Sequence, residues 1–230
     1  DDTLPPLTVT TLTTRPDKAA ALRLIADSIA QQRQQSAFAI ATHPLPLALL
    51  LAALAAVYHF AWASQTPRAR DAGTVMMLAS GAITTYLLGI RLVTAGYLRA
   101  AEAVGWDFLR APQRQEEEEE EDVVVGTRYG SDLIGALVLR LERPVLDGST
   151  EPKGVIRAWT TKMRYRGKGI GGDMLREAVR VARERLGPDA RVEFASDHAN
   201  GVRVLPGIFE GPVRKSELRA ARALERVPKE

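Results

Sequence analysis

A glycine-rich, basic turn precedes the most regular amphipathic stretch of the sequence. The segment RYRGKGIGGDML (residues 164–175) holds four glycines and three basic residues. The residues behind it place apolar side chains at helical spacing, so the turn stands at the N-terminus of a predicted helix. A helix N-terminus presents unpaired N–H groups and the positive end of the helix dipole, and both attract anions. The segment therefore predicts binding of an anionic group.

The residue types in this turn suit a phosphate. Glycines at positions 167, 169, 171 and 172 let backbone N–H groups approach oxygens that a side chain would block. Arg164, Arg166 and Lys168 add positive charge. A turn that serves only tight strand-to-helix packing is the alternative, but it gives the basic residues no role. No Lys-Ser or Lys-Thr pair follows the glycines, so the segment is not a Walker loop.

The patterns around the turn predict an α+β fold. A strand is indicated by alternating or β-branched residues, and the first such segment precedes a helix capped by Thr14 or Asp17. Two later segments, joined by a short Gly-Ser-Asp turn, predict a β-hairpin. The predicted strands are 7–13, 123–129, 133–142, 155–163 and 191–195.

Two long segments without formal charge interrupt this pattern. Residues 44–63 and 72–90 each approach the roughly 20 residues needed to cross a bilayer core. Aromatic residues stand near their ends, where interfacial aromatics are expected. We therefore predict a transmembrane helical hairpin. A buried hairpin in a soluble core and a dimer interface in a soluble protein are the alternatives.

Composition limits the chemistry. The chain has no cysteine, and its three histidines lack metal-ligand spacing, so we expect no metal site. An acidic run, 116–122, predicts a solvated loop without chemistry. Apart from that run, 31 basic residues face 21 acidic ones, so the rest of the chain is basic. Aromatic residues are few and no nucleic-acid motif is present, so nucleic acid is the least supported anionic partner.

The turn and its surroundings resemble a known family. RGKGIG resembles motif A of the GNAT acetyltransferase superfamily, with Arg166, Gly169 and Gly171 at the matching positions. The strand before it, the helix behind it and the upstream hairpin also match. The predicted fold is thus a GNAT fold, a mixed and mostly antiparallel sheet flanked by helices, with an inserted two-helix transmembrane hairpin. The final segment, DHANGVRVLPGIFEGP, is similar to a set of fungal GNAT-domain proteins.

The resemblance implies acetyl-CoA as cosubstrate and an amine acceptor, either a small molecule or a protein. The strand before the turn would pair its backbone with the pantetheine arm, and a backbone N–H there would stabilise the oxyanion. The residues that the resemblance assigns to acetyl-CoA are Trp159, Thr160, Thr161, Arg166, Gly167, Lys168, Gly169, Ile170, Gly171 and Asn200.

The sequence departs from the family at the catalytic positions. The tyrosine that usually protonates the departing thiolate is replaced by Gly207, and the alanine after Asn200 is Arg203. The general base is open among Glu193, Asp197 and His198, each of which has a surface charge or a loop hydrogen bond as its alternative role. We expect a membrane-anchored N-acetyltransferase that works by direct attack in a ternary complex. The alternative is a catalytically degenerate acyl-CoA-binding membrane module, a sensor or scaffold.

The insertion divides the predicted domain. Residues 1–42 supply its first strand and helix, 43–98 form the hairpin, and 99–230 supply the remainder with an acidic disordered loop at 111–122. Membrane-bound GNAT enzymes with this layout include vertebrate endoplasmic-reticulum N-acetyltransferases, which suggests that membrane. More basic residues flank the hairpin than occupy its turn, so the positive-inside rule predicts a cytosolic GNAT domain. The flanking arginines are Arg33, Arg91, Arg99 and Arg110, and those in the turn are Arg68 and Arg70.

Overall fold

The structure is a computed structural model that describes residues 5–63, 71–110, 121–143, 151–196, 198–201, 204–205, 209 and 211–226. For residues 62, 63, 200 and 211–217 it describes the backbone only. The strands are β1 (Leu7–Thr11), β2 (Val123–Tyr129), β3 (Asp132–Glu142), β4 (Lys153–Thr161) and β5 (Arg191–Phe194). The helices are α1 (Arg15–Ala41), α2 (Pro44–Ala63), α3 (Ala72–Val93), α4 (Gly96–Glu102), α5 (Ile170–Leu186) and α6 (Gly211–Glu225).

The strands form one mixed sheet in the order β1-β2-β3-β4-β5. The first four strands are antiparallel neighbours, and β5 lies parallel to β4. A parallel neighbour needs a crossover connection, and α5 provides it. The predicted α+β architecture, a mostly antiparallel mixed sheet flanked by helices, is confirmed.

Helices cover both faces of the sheet. On one face α1 and α4 pack on a buried cluster that includes Ile25, Ile29 and Tyr97. On the other face α5 packs on a second cluster that includes Leu137 and Met174. Since each strand alternates its side chains between the faces, both clusters draw on the same strands. The sheet therefore holds α1 and α5 at fixed positions on opposite sides.

The start of α1 settles an alternative left by the sequence. Thr14 precedes the helix in an extended conformation, and its Oγ1 accepts a hydrogen bond from the backbone N–H of Asp17 at 3.3 Å. Thr14 is thus the N-cap, and Asp17 lies in the first turn.

Apart from Ile90, which packs against the first cluster, the α2–α3 pair lies outside both clusters. The two helices pack on each other, and α3 buries none of its residues. In α2 only Ala61 is buried among the side chains described. The Tyr86 hydroxyl donates to the carbonyl oxygen of Ala41 at 2.8 Å, which ties α3 to the end of α1. A buried hairpin in a soluble core is therefore wrong, and both helices are long and apolar enough to cross a membrane.

The end of the acidic run differs from the prediction. Residues 111–120 lie outside the described residues, but Glu121 and Asp122 are described. Asp122 is buried, and Glu121 accepts from the Lys18 ammonium at 2.7 Å. Asp122 is therefore not part of a solvated loop, whereas Glu121 is exposed while it pairs with Lys18.

Candidate active site

Strands β4 and β5 separate halfway along β4. Their pairing ends where Ile156 faces Phe194, and the next N–H, that of Ala195, donates to the Ile156 carbonyl at 2.9 Å. β4 continues to Thr161, and no described strand pairs with its residues 157–161 on that side. An opening between the strands thus begins at Ile156 and widens towards the end of β4.

A β-bulge marks the start of this opening. On β3, Val138 faces Ala158 while the next residue, Leu139, faces Ile156, so Arg157 has no partner of its own. An extra residue of this kind reverses which backbone groups point to which neighbour. The bulge therefore changes the direction of the β4 hydrogen-bonding groups at the point where β5 leaves.

Past the bulge, the backbone of β4 offers groups to the opening. The Lys162 N–H donates to the Ile134 carbonyl of β3 at 2.8 Å. Since hydrogen-bonding groups alternate along a strand, those of Trp159 and Thr161 face the opposite way, towards the opening. These are two of the backbone positions that the sequence analysis assigned to a pantetheine arm.

The turn before α5 carries a row of unpaired N–H groups. Gly167 and Gly169 have φ values of +78° and +86°, in the left-handed region that glycine tolerates. A Cβ added at either position would meet nothing within 4 Å, so the space in front of both is open. Gly172 is the first residue whose N–H reaches a backbone acceptor, the Gly169 carbonyl at 2.8 Å. The N–H groups of residues 167–171 have no acceptor within the described part of the chain.

The basic residues in and beside the turn differ in the groups that they bind. Lys162 and Arg164 both bind Asp132, at 2.6 and 3.3 Å. The hydrogen bond from Lys162 is the main reason that the pKa of Asp132 lies below its usual value. Arg166 donates through Nε to the Thr161 carbonyl at 3.0 Å, and Lys168 lies over the Tyr165 ring. Among the described residues neither Arg166 nor Lys168 forms an ion pair, so their charge is available to an anion at the turn.

Three of the predicted binding residues offer a ligand no side chain. A Cβ at Gly171 would lie 2.6 Å from the Trp159 ring, whose Nε1 donates to the Gly171 carbonyl at 3.3 Å. Gly171 therefore makes room for tryptophan, a reason that the sequence analysis did not give. The side chains of Ile170 and Thr160 are buried. For Gly171, Ile170 and Thr160, only the backbone remains for a ligand.

Glu193 and His198, the two candidate bases that the structure describes, have different surroundings. Glu193 extends from β5, is 56% exposed and accepts from the Lys153 ammonium at 3.0 Å, which raises the pKa of Lys153. The His198 ring instead packs against Phe194 at 5.7 Å, and Phe194 lies 5.7 Å from the Trp159 ring. His198 thus belongs to an aromatic row that begins at the opening.

Several predicted positions cannot be placed in this geometry. Asp197, Arg203 and Gly207 lie outside the described residues, and Asn200 is described by its backbone alone. Within the described ranges, no group of three His, Cys, Asp or Glu side chains is arranged to hold a metal ion.

A buried ion cluster behind the bulge was missed by the sequence analysis. The Asp122 carboxylate, 1% exposed, accepts from Arg157 at 2.6 Å and from Arg140 at 3.0 Å. Arg157 also donates to the Phe108 carbonyl and lies over the Phe108 ring. The available signal was an arginine inside each of two apolar strands, since such a charge requires a partner. The cluster fixes the side chain of the bulge residue.

A family model matches the part of the chain that forms this arrangement. Residues 94–203 match the model of the acetyltransferase (GNAT) family, and this range contains β2 to β5, the turn and α5. No curated protein matches the sequence.

Two solved structures show similarity at low identity. One is an aminoglycoside acetyltransferase from an uncultured soil metagenomic sample in complex with trehalose, with 14% identity, a TM-score of 0.35, and coverage of 58% of this chain and 79% of that chain. The other is a transcriptional regulator from Bacillus halodurans C-125, with 18% identity, a TM-score of 0.31, and coverage of 54% of this chain and 67% of that chain.

Proposed function

We propose that this protein carries a GNAT acetyltransferase domain and that the domain transfers an acetyl group from acetyl-CoA to a primary amine. The observation that carries the proposal is the opening between β4 and β5 together with the unpaired N–H groups of residues 167–171 at its wide end. The pyrophosphate would bind at the turn, where the helix dipole and Arg166 add positive potential. The pantetheine arm would then run along β4 towards the bulge at Arg157.

The chemistry is a direct acyl transfer. The amine nitrogen attacks the thioester carbonyl carbon, the new C–N bond forms, and the C–S bond breaks to release the CoA thiolate. A backbone N–H of β4 in the opening, that of Trp159 or Thr161, stabilises the negative charge on the carbonyl oxygen. The thiolate has a pKa near that of free cysteine, about 8.5, so it leaves without an acid at the Gly207 position.

A base must take the proton that the amine loses. Glu193, Asp197 and His198 remain the candidates, and the aromatic row from Trp159 to His198 favours the histidine. Replacing the true base by a neutral residue should lower turnover roughly 10²-fold while CoA binding persists. If Glu193→Gln, Asp197→Asn and His198→Gln all keep full turnover, none of the three is the base.

Binding at the turn is tested by substituting one glycine at each end of α5. Gly169 and Gly187 both have positive φ, +86° and +111°, and both have open space where a Cβ would stand. Valine strains the backbone at both positions, and more at Gly187, whose ψ of 162° lies in a region that is essentially restricted to glycine, but only at Gly169 would it obstruct the anion. We expect Gly169→Val to weaken CoA binding at least tenfold, about 1.4 kcal/mol, and Gly187→Val to leave it nearly unchanged. Equal affinities of the two variants, measured by calorimetry, would remove the proposal.

A second candidate function rests on the sequence at the leaving-group position. Since Gly207 stands where many family members have tyrosine, the domain could bind acyl-CoA without turnover, as a membrane sensor or scaffold. Release of free thiol from acetyl-CoA with a panel of primary amines distinguishes this candidate from the acetyltransferase. Turnover with any amine excludes the second candidate, and CoA binding without turnover excludes the first.

We further propose that α2 and α3 anchor the domain in a membrane, with the domain on the cytosolic side. The support is their length, their apolar composition and their exposure. Because the chain has no cysteine, single cysteines at Ser64 and Ser216 report the sidedness of the hairpin turn and of the domain. In sealed microsomes, a membrane-impermeant reagent should label the position at 216 but not that at 64. The reverse pattern would place the domain in the lumen, and labelling at both would mean that the hairpin does not span.

A further inference from the structure

A polar cavity of about 730 Å³ borders the narrow end of the opening. Ala195 and Ser196, which follow the last β4–β5 pair, line it together with the bulge residue Arg157. Val155 also lines it, whereas the alternating residue Ile156 packs in the α5 cluster. The cavity therefore lies on the sheet face opposite α5. It borders the proposed site of acetyl transfer from that face.

One end of the cavity has an excess of positive charge. Arg110, Arg140 and Arg157 converge there, and the Arg140 guanidinium donates to the Arg110 carbonyl at 3.2 Å. Asp122 lies buried behind Arg140 and Arg157 and neutralises one of them. Asp107 binds Arg110 at 3.2 Å, but both side chains are largely exposed, so water weakens this pair. Counted over the residues that the structure describes, three guanidinium groups thus face two carboxylates.

The other end has an excess of negative charge. Lys153 is the cation there, and it lies 3.0 Å from Glu193 and 3.5 Å from Glu142. Within the described part of the chain, one ammonium group thus faces two carboxylates, both of which line the cavity. The cavity is bipolar: at one end the arginines gather round Asp122, which precedes β2, and at the other end Glu142 and Glu193 lie together, with Glu193 beside the start of the β4–β5 opening.

We propose that this cavity is the acceptor site and that it selects a small, soluble zwitterionic amine, a primary amine that also carries a carboxylate or phosphate. The inference rests on the proposed acetyl transfer and names the substrate class for it. The arginine end binds the anionic group by charge-assisted hydrogen bonds, and the Glu142–Glu193 end attracts the ammonium group. A volume of about 730 Å³ is in the range of small-molecule sites, which is why the acceptor is small. A polyamine has no group for the arginine end.

The test compares amines that differ only in the anionic group. O-Phosphoethanolamine is matched with ethanolamine, and β-alanine with ethylamine, in binding measurements by calorimetry. The wild-type protein should bind the zwitterion of each pair at least about tenfold more tightly. Arg110→Glu should abolish this preference and increase affinity for the diamine putrescine, because it makes the arginine end less positive.

Arg110 suits this test because its side chain is 65% exposed and its only described ion pair is with exposed Asp107, so the fold should tolerate the change. Arg110→Gln, a milder variant, should reduce the preference part of the way. Arg185→Glu makes the same charge change at an exposed position on α5, beyond the sheet, and should keep the preference. Equal binding within the matched pairs, or an unchanged preference in Arg110→Glu, overturns the proposal.

The same protein samples are titrated with CoA, which separates the two proposals. A zwitterion preference that depends on Arg110, without CoA binding, would keep the cavity assignment as a binding site and end the acetyltransferase assignment. CoA binding without any preference among the amines would end the cavity assignment and leave the acetyltransferase assignment standing.

Discussion

Leu137 in β3 and Leu49 in α2 are the same residue type, and each stands in an apolar stretch of the chain. Leu137 is fully buried, whereas 72% of Leu49 is exposed. The contrast extends to their surroundings, since the sheet also buries Val125 and Leu139 completely while α3 exposes Met76 and Leu92. Two regions of similar hydrophobicity therefore meet opposite environments in one protein.

The difference shows where the chain supplies its own apolar partners. The strands are covered by α1 on one face and α5 on the other, and burial there yields about 25 cal/mol for each Å² removed from water. α2 and α3 pack mainly on each other, with smaller contacts to α1, and their outer faces remain apolar. An exposed apolar surface of this size marks an interaction with something apolar. The comparison is the physical basis of the membrane proposal.

The largest loss of stability is expected when a buried charge is removed. Asp122→Ala should lower the free energy of unfolding by about 3–5 kcal/mol, because Arg140 and Arg157 would be left without their buried carboxylate. The neighbouring substitution Glu121→Ala is the control, since that partly exposed residue has Lys18 as its one described ion-pair partner, and it should cost less than about 1 kcal/mol. Denaturant unfolding in detergent measures both. Equal losses would mean that Asp122 is not held as the structure has it.

The matched leucines test the contrast directly. Leu137→Ala should cost about 2–5 kcal/mol of unfolding free energy because it leaves a cavity under α5. Leu49→Ala should change it by less than about 0.5 kcal/mol in detergent, since the side chain has few partners within the chain. A large loss from Leu49→Ala would show that α2 is buried against something in the solubilised state, such as a second copy of the chain.

The smallest loss of stability is expected when the exposed ion pairs beside the turn are removed. The hydrogen bond from Lys162 lowers the pKa of Asp132 below 3.8, against a smaller opposing effect of burial, and Arg164 adds to the lowering. Because the folded pKa is lower than the unfolded one, this stabilisation is present above about pH 4 and is lost as the pH falls through the folded value. Asp132→Asn should therefore cost less than about 1 kcal/mol near pH 6 and almost nothing below the folded pKa. Unfolding curves of both proteins at the two pH values check the difference, and a cost that persists in acid contradicts it.

The glycine turn and α5 were predictable from sequence because local patterns encode them. Gly169 precedes a regular apolar stripe, and the structure begins α5 at Ile170. The predicted strand ended at residue 163, but Thr161 is the last residue of β4, since Met163–Tyr165 form a short 3-10 turn that leads into the glycines. Boundaries of this kind depend on tertiary hydrogen bonds and not on residue type.

The ion cluster and the bulge were not predictable in the same way. Asp122 is the last of seven acidic residues that look alike in the sequence, and only the placement of Arg140 and Arg157 on neighbouring strands distinguishes it. The bulge at Arg157 arises from the register between β3 and β4, for which the strand sequences carry no local signal. The sequence therefore predicts the glycine turn and α5, and the packing decides how the narrow end of the opening is built.

The pairing of β1 with β2 has a consequence for how the protein is made. Leu7 lies opposite Tyr129, so the ribosome must synthesise α1 and both apolar helices before the edge strand can find its neighbour. Such distant contacts slow folding, because closing a long loop costs entropy before the strand pairing can stabilise it. During translation the apolar helices emerge while β1 and α1 still lack their sheet. Insertion of the helices into a bilayer at that stage would hold the two ends of the loop close together and shorten the search.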